Sequence, residues 1–157
     1  LEKNSKVKVF VPVSFPQDFK NKTKLSGATV IEISNLTKIT DGVYSTGELG
    51  SLTKEQSLII NSKKGLVVIT GCAHPGIVNI IRQVKKMLKE EIYLVTGGFH
   101  LGGTSDSQLR EIIKDFRQLG VQKTAPCHCS GDRCRKLFKQ EYQENYIENG
   151  VGGVINI

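Results

Sequence analysis

The second half of the sequence repeats one pattern three times: an apolar run, a turn of small residues, and apolar side chains at helical spacing. The apolar runs predict strands at residues 66–70, 92–98 and 121–126. Strands that alternate with helices favour a parallel sheet, and such sheets bind ligands at the carboxyl ends of their strands. The predicted helices have the apolar faces Ile77, Ile80, Ile81, Val84 and Leu88, then Leu109, Ile112, Ile113, Phe116 and Leu119, and last Leu137, Phe138 and Tyr142.

The residues before this pattern are rich in β-forming side chains. We expect Asp106 to cap the second of the three helices, Gly120 to end it, and Ser130 to cap the third. The sequence has no long linker, so we predict one α/β domain, or a piece of one, over residues 1–157. The further predicted strands lie at residues 7–13 (ended by Pro16), 28–34, 41–50, 57–60 and 151–157.

Composition limits the classes of partner. The formal net charge is +7, and the lysines are scattered in short groups such as Lys20, Lys22 and Lys24. A solvated surface is the simplest interpretation, and the alternative is a surface that binds small anionic or phosphate-bearing ligands. The absence of tryptophan and of arginine–aromatic stretches argues against nucleic acid. No apolar window is long enough to cross a membrane, so no membrane partner is expected.

All three histidines follow a predicted strand and precede a predicted helix, in "TGCAH", "TGGFH" and "PCHCSG". A sheet holds the carboxyl ends of neighbouring parallel strands along one edge, and imidazole is the commonest protein ligand for zinc. We therefore predict that His74, His100 and His128 share a metal site.

The cysteines offer an alternative site. Four cysteines are too few for a disulfide framework, and they favour reduced thiols in the cytoplasm. Within "CHCSGDRC", Cys127, His128, Cys129 and Cys134 could form a structural zinc site, but a C-x-C pair lacks the usual spacing. In a strand, moreover, Cys127 and Cys129 would point away from His128. We expect Cys72 and Cys129 to be small apolar packing residues beside the site.

The segments "LVVITGCAHPGIVNII", "YLVTGGFHLGG" and "PCHCSGD" resemble the metallo-β-lactamase superfamily, in particular its metal-dependent hydrolase or dihydropterin–ribofuranosylaminobenzene phosphate synthase-like branch. The resemblance implies an αββα sandwich with one or two metal ions, usually zinc, at one edge of two sheets. It implies that His74 binds the first metal and His128 the second. Gly98 stands where the superfamily usually has a bridging aspartate. Either His100 substitutes as a metal ligand or as a catalytic group that polarises the substrate, or the bridge between the two metals is missing.

The superfamily's H-x-H-x-D-H run does not occur in these residues, and the chain begins at Leu1 rather than at methionine. We therefore expect a carboxyl-terminal portion of such a domain, with the second sheet, its helices and part of the first sheet.

For the complete enzyme, the resemblance implies attack of metal-activated water on an ester, amide, thioester or phosphoester. The free amides of Gly76 and Ile77 could hold an anionic group of the substrate. We expect the isolated chain to bind metal weakly and to be nearly inactive. The alternative is a non-catalytic half-domain that self-associates or pairs with a separate amino-terminal half.

Overall fold

The computed structural model describes residue 4 and residues 6–157, which form two sheets and four α-helices. The small sheet is parallel and consists of β1 (Lys8–Pro12) and β2 (Thr29–Ile33), joined by α1 (Gln17–Leu25). The six strands of the large sheet are β3 (Thr37–Thr40), β4 (Val43–Ser45), β5 (Leu58–Ser62), β6 (Gly65–Thr70), β7 (Ile92–Gly98) and β8 (Lys123–Cys127). The remaining helices are α2 (Ile77–Leu88), α3 (Asp106–Gln118), α4 (Asp132–Tyr142) and the short 3₁₀ turns His128–Ser130 and Gln143–Asn145.

The large sheet has the strand order β3-β4-β5-β6-β7-β8. Its first four strands pair in antiparallel fashion, whereas β6, β7 and β8 are parallel because helices α2 and α3 connect them. The predicted succession of three strand–turn–helix units is therefore confirmed. The carboxyl ends of β6, β7 and β8 meet at one edge, where Thr70 pairs with Gly97 and Gly98 pairs with Cys127.

The helix-covered face of the large sheet contains the main core. Val68 and Val95 are fully buried there against α2, α3 and α4. Three buried rings fill its centre, with centroid separations of 5.6 Å for Phe99–Phe116, 5.6 Å for Phe99–Phe138 and 5.1 Å for Phe116–Phe138. Edge-to-face and tilted aromatic pairs at these distances add to the stabilisation from apolar burial. The predicted apolar faces of the three helices all contribute to this core, with Leu88, Ile112 and Leu119 at its margin.

The opposite face of the large sheet has a smaller core of Val67, Leu94 and Ala125. Ile147 and Ile155 pack on it from the carboxyl-terminal segment, residues 146–157. The strand predicted at 151–157 is wrong, because the glycine-rich residues 150–153 form a turn and the remaining residues pair with no strand.

Several predicted boundaries are also wrong. The sequence prediction missed α1 entirely. The strand predicted at residues 41–50 corresponds to β4, which ends at Ser45. Ser105, rather than Asp106, caps α3, because its hydroxyl accepts a hydrogen bond from the Gln108 amide. Gly131 precedes α4, and Ser130 has a different role described below. Within the described residues, no helix combines the length and apolar character that crossing a membrane requires.

Candidate metal centre

Three turns follow β6, β7 and β8, and hydrogen bonds join them into one continuous rim, which we call the carboxyl edge (residues 71–76, 98–103 and 127–131). The Gly98 amide donates to the Gly71 carbonyl at 3.0 Å, which joins the first turn to the second. The Phe99 amide donates to the Ser130 hydroxyl at 3.0 Å, and that hydroxyl donates to the Cys127 carbonyl. Ser130 is fully buried, so it connects two turns rather than capping α4.

The backbone of the carboxyl edge is strained at each turn. Ala73, His100 and His128 have φ values of 62°, 53° and 50°, in the left-handed region that side chains other than glycine rarely adopt. Each such residue costs about 1–2 kcal/mol. Conformations of this kind cluster at functional sites, where the surrounding structure holds them in place.

His74 and His100 lie side by side at this edge. Their ring centroids are 4.2 Å apart and the rings are inclined by 47°. Both residues are exposed, so their free ring nitrogens can reach a ligand from solvent. The structure thus brings two of the three predicted histidines into direct contact.

Glu55 orients His74 and was not predicted from the sequence. One of its carboxylate oxygens contacts Nδ1 of His74, and the other accepts a hydrogen bond from the Ala73 amide at 2.8 Å. This contact leaves Nε2 of His74 as the nitrogen available to a metal, in the carboxylate–histidine arrangement common around metal ions. Glu55 lies 19 residues upstream, in the loop between β4 and β5, and no spacing in the sequence points to it.

His128 lies in a second group with Cys72 and Cys129. The ligand atoms of these three side chains are all within 4.8 Å of one another. The expectation that Cys129 points away from His128 is wrong, because residues 128–130 form a 3₁₀ turn in which the alternation of a strand does not apply. Burial raises the pKa of the Cys72 thiol, and the neighbouring Cys129 raises it further.

The remaining two cysteines are not in this group. The thiol of Cys127 accepts a hydrogen bond from the side chain of Asn149 at 3.7 Å. Cys134 is fully buried on the core face of α4, and burial raises the pKa of its thiol to about 12. The structural zinc site that we considered within "CHCSGDRC" therefore does not form, since Cys127 and Cys134 lie apart from the cluster of donors.

A cleft of about 300 Å³ opens beside His74 and His100 and is lined in part by Phe99 and Ile112. The prediction of a free Gly76 amide at this position is wrong, because that amide donates to the Ala73 carbonyl at 2.9 Å.

The aspartates that follow these turns already have partners. Arg133 forms a two-pronged ion pair with Asp106, and its hydrogen bonds lower the pKa of that carboxyl group. Asp132 pairs with Arg135 at 3.2 Å. Neither carboxylate belongs to the histidine or cysteine groups among the described residues.

Known structures share this architecture. The crystal structure of a metal-dependent hydrolase of the β-lactamase superfamily matches 87% of this chain and 62% of its own, with a TM-score of 0.77 and 32% identity. The fold is that of the metallo-β-lactamase superfamily. An isothiocyanate hydrolase from Delia radicum gut bacteria matches 98% of this chain and 68% of its own, with a TM-score of 0.56 and 10% identity, and shows the same fold. The predicted metallo-β-lactamase-like α/β fold is thereby confirmed.

Two curated proteins of Methanocaldococcus jannaschii are also similar to this metallo-β-lactamase-like chain. A 7,8-dihydropterin-6-methyl-4-(β-D-ribofuranosyl)-aminobenzene-5′-phosphate synthase is 33% identical over 108 residues, or 68% of this chain and 37% of the relative. An uncharacterized protein is 38% identical over 91 residues, or 58% of this chain and 34% of the relative. The chain thus spans about a third of the length of these relatives. No family model matches it.

The donor atoms at the carboxyl edge suit the metal ion expected of a metallo-β-lactamase fold. Imidazole nitrogens and cysteine sulfurs are the preferred ligands of zinc. His74 already has a carboxylate on its Nδ1 nitrogen, and the cysteine–histidine group brings three donor atoms within 4.8 Å of one another. These residues therefore fit a metal.

Proposed function

We propose that this chain carries part of the metal centre of a metal-dependent hydrolase, with zinc as the metal. His74 and His100 would hold it at one position, and His128 would hold it at a second position, beside Cys72 and Cys129. The observation that carries the proposal is the contact between the imidazole rings of His74 and His100, together with the contact of the Glu55 carboxylate with Nδ1 of His74. A structural histidine would be expected to hydrogen-bond within the core, whereas these two rings are exposed at the carboxyl ends of parallel strands.

The chain's own residues prepare the site in distinct ways. In the proposed site, Glu55 accepts a hydrogen bond from Nδ1–H of His74, which leaves the Nε2 lone pair free for the metal and fixes the plane of the ring. His100 faces the same cleft and acts as a further ligand or as the catalytic group that polarises the substrate. The buried ring of Phe99 holds the His100 backbone in place from the core side. When bound, the ion would lower the pKa of a coordinated water and supply the nucleophile.

The substrate class is a small anionic or phosphate-bearing ester, amide, thioester or phosphoester. The net charge of +7 supports an anionic ligand, since an excess of positive charge attracts such molecules by long-range steering. The name of the curated synthase relative contains a 5′-phosphate, which supports the same class. Four free thiols support a reducing location such as the cytoplasm.

Zinc calorimetry tests the proposal. We expect weak zinc binding by this chain, because the H-x-H-x-D-H ligands that the family resemblance implies do not occur in these residues. His74→Ala and His100→Ala should each reduce the heat of binding, whereas Gln83→Ala, a change on the exposed side of α2, should leave it unchanged. Equal zinc affinity in the wild type and His74→Ala would contradict the assignment of His74. Tight binding together with hydrolysis of a model phosphoester would contradict the expected inactivity of the chain alone.

A second candidate function is that of a half-domain that assembles with a second copy or with a separate amino-terminal half. The observation that favours it is an exposed apolar patch formed by Val13, Phe15 and Phe19, which are 42%, 40% and 43% exposed. The rings of Phe15 and Phe19 pack edge to face at 4.8 Å. Clusters of exposed large apolar residues mark interaction surfaces.

Analytical ultracentrifugation distinguishes this second candidate. A concentration-dependent dimer that Phe19→Asp dissociates would support it, with the surface change Leu52→Asp as the matched control. A monomer at all concentrations would contradict self-association.

A further inference from the structure

The end of strand β7 has no room for a side chain at Gly98. A Cβ atom there would lie 2.3 Å from the Gly71 carbonyl oxygen and 2.8 Å from the thiol of Cys129. Both separations are far below normal contact distances. Cys129 thus occupies the space into which a longer residue at position 98 would extend.

The side chain of Cys129 faces the turn after β6 rather than the core. Its thiol lies 3.6 Å from the backbone carbonyl of Cys72, a residue 57 positions earlier in the chain. Cys72 and Cys129 are both half-buried, whereas Cys134, which serves as packing, is fully buried. The two half-buried thiols therefore lie where a ligand can reach them, in addition to the packing role that the sequence predicts.

His128 completes this group from the same turn as Cys129. It is exposed and its backbone has a φ of 50°, so the chain retains a costly conformation that keeps the imidazole beside the two thiols. The three donor atoms lie within 4.8 Å of one another, close enough for a single ion to draw them into its coordination sphere with small side-chain adjustments. Two cysteines and one histidine form a known zinc ligand set that leaves a fourth position open.

We propose that Cys72, Cys129 and His128 form a thiolate–imidazole site for one thiophilic divalent cation, Zn²⁺ or its analogue Cd²⁺. The site shares His128 with the proposed hydrolase centre and rests on that proposal only for the use of His128. The sulfur of Cys129 takes the place in space that Gly98 leaves unfilled. Soft thiolate donors prefer Zn²⁺ and Cd²⁺ over the oxygen-seeking Mg²⁺ and Ca²⁺.

Titration of the reduced chain with Cd²⁺ tests the site directly, because a thiolate bound to Cd²⁺ produces an ultraviolet charge-transfer band. We expect the band to saturate at one equivalent of Cd²⁺. Cys72→Ser and Cys129→Ser should each weaken it markedly, whereas Cys127→Ser, a half-buried thiol on the same strand end, should leave it unchanged. No band in the wild type, or an unchanged band in Cys129→Ser, would overturn the proposal.

Alkylation provides a measurement that does not depend on the folding of variants. In the wild-type chain, Cd²⁺ should protect Cys72 and Cys129 from iodoacetamide and leave the reactivity of Cys127 unchanged, as read by mass spectrometry. Equal labelling of Cys72 and Cys129 with and without Cd²⁺ would overturn the proposal.

The two proposals fail in different ways. If His74→Ala removes part of the zinc heat while the Cd²⁺ band persists, the thiolate site is supported as a separate donor set. If the zinc heat depends on His74 and no thiolate band forms, the hydrolase proposal stands and the thiolate site falls.

Discussion

Phe99 and His100 are neighbours in the chain, but they lie in opposite environments. Phe99 is buried in the helix-covered core, whereas His100 is exposed at the carboxyl edge with a left-handed backbone. Phe99 stabilises the fold by burying apolar surface. His100 does not contribute in this way, because its backbone is strained and its imidazole is left at the surface as a possible ligand. The free energy gained by burying the aromatic core offsets the cost of the strained edge, and between Phe99 and His100 the two regions meet at one peptide bond.

Of the changes considered, loss of an aromatic ring from the core should lower the free energy of unfolding the most. Phe138 is fully buried and its ring lies about equally close to those of Phe99 and Phe116. Phe138→Ala should lower the free energy of unfolding by about 3–5 kcal/mol, since it removes apolar contacts and leaves a cavity. Urea denaturation measures this. The exposed-ring control Phe15→Ala should change stability by less than about 1 kcal/mol, and similar losses in both variants would contradict the contrast.

A substitution at the junction of the two regions should have the next largest effect. Gly98→Ala should destabilise the fold by about 1–3 kcal/mol, because the added methyl group meets the backbone of Gly71 and the thiol of Cys129. Gly71→Ala is the matched control, since no atom lies within 4 Å of a Cβ built there. Thermal unfolding of the two variants checks the prediction. A Gly98→Ala protein as stable as Gly71→Ala would contradict it and show that Gly71 and Cys129 can shift to make room for the methyl group.

Removing the charge of Glu55 should affect the edge and spare the core. Glu55→Gln should reduce zinc affinity about 10- to 100-fold, because the carboxylate orients His74 and increases its basicity. Calorimetry measures the change. Glu91→Gln, at the amino-terminal end of β7, is the control and should leave zinc affinity unaltered. An affinity loss that is equal in the two variants would argue for a general effect of charge.

The pH dependence of stability should report the burial of the core thiol of Cys134. Burial raises the pKa of Cys134 to about 12, against about 8.5 for a thiol in an unfolded chain. Above pH 8.5 the unfolded state loses a proton that the native state retains, so stability falls as pH rises. Between pH 7 and pH 9.5 this difference in proton binding should lower the free energy of unfolding by about 1.4 kcal/mol.

Cys134→Ala should remove that contribution and flatten the pH dependence of unfolding by the same amount. Cys127→Ala, which retains Cys134, should keep the loss between pH 7 and pH 9.5. Parallel pH profiles for the wild type and Cys134→Ala would refute the prediction.

The parts of the fold that the sequence predicted are those in which local pattern and tertiary packing agree. Helices α2, α3 and α4 have apolar residues at helical spacing and bury them. Helix α1 lacks such a stripe, so pattern analysis missed it. It is instead held by Lys20, whose ammonium group donates to the Val13 carbonyl at 2.6 Å and to Glu32 at 2.7 Å. The prediction that this lysine is solvated is wrong, because it is 3% exposed.

The candidate site was predictable only in part for a related reason. The position of each histidine after a strand could be inferred, since strand ends and turn residues leave a clear local signal. The grouping of His128 with Cys72 and Cys129 could not, because it depends on a 3₁₀ turn and on a contact across 57 residues. Glu55 likewise reaches His74 only through the folded loop.

The carboxyl-terminal segment has a consequence for the outer strand of the large sheet. Tyr146 forms a parallel bridge with Thr124, and the Ile147 amide donates to the Thr124 carbonyl at 2.8 Å. Backbone groups of β8 are thus engaged within the molecule, which hinders a foreign polypeptide from extending the sheet there. The other edge of the sheet is β3, where an added strand would meet fewer obstacles. The charged side chain of Lys38 on β3 opposes aggregation through this edge.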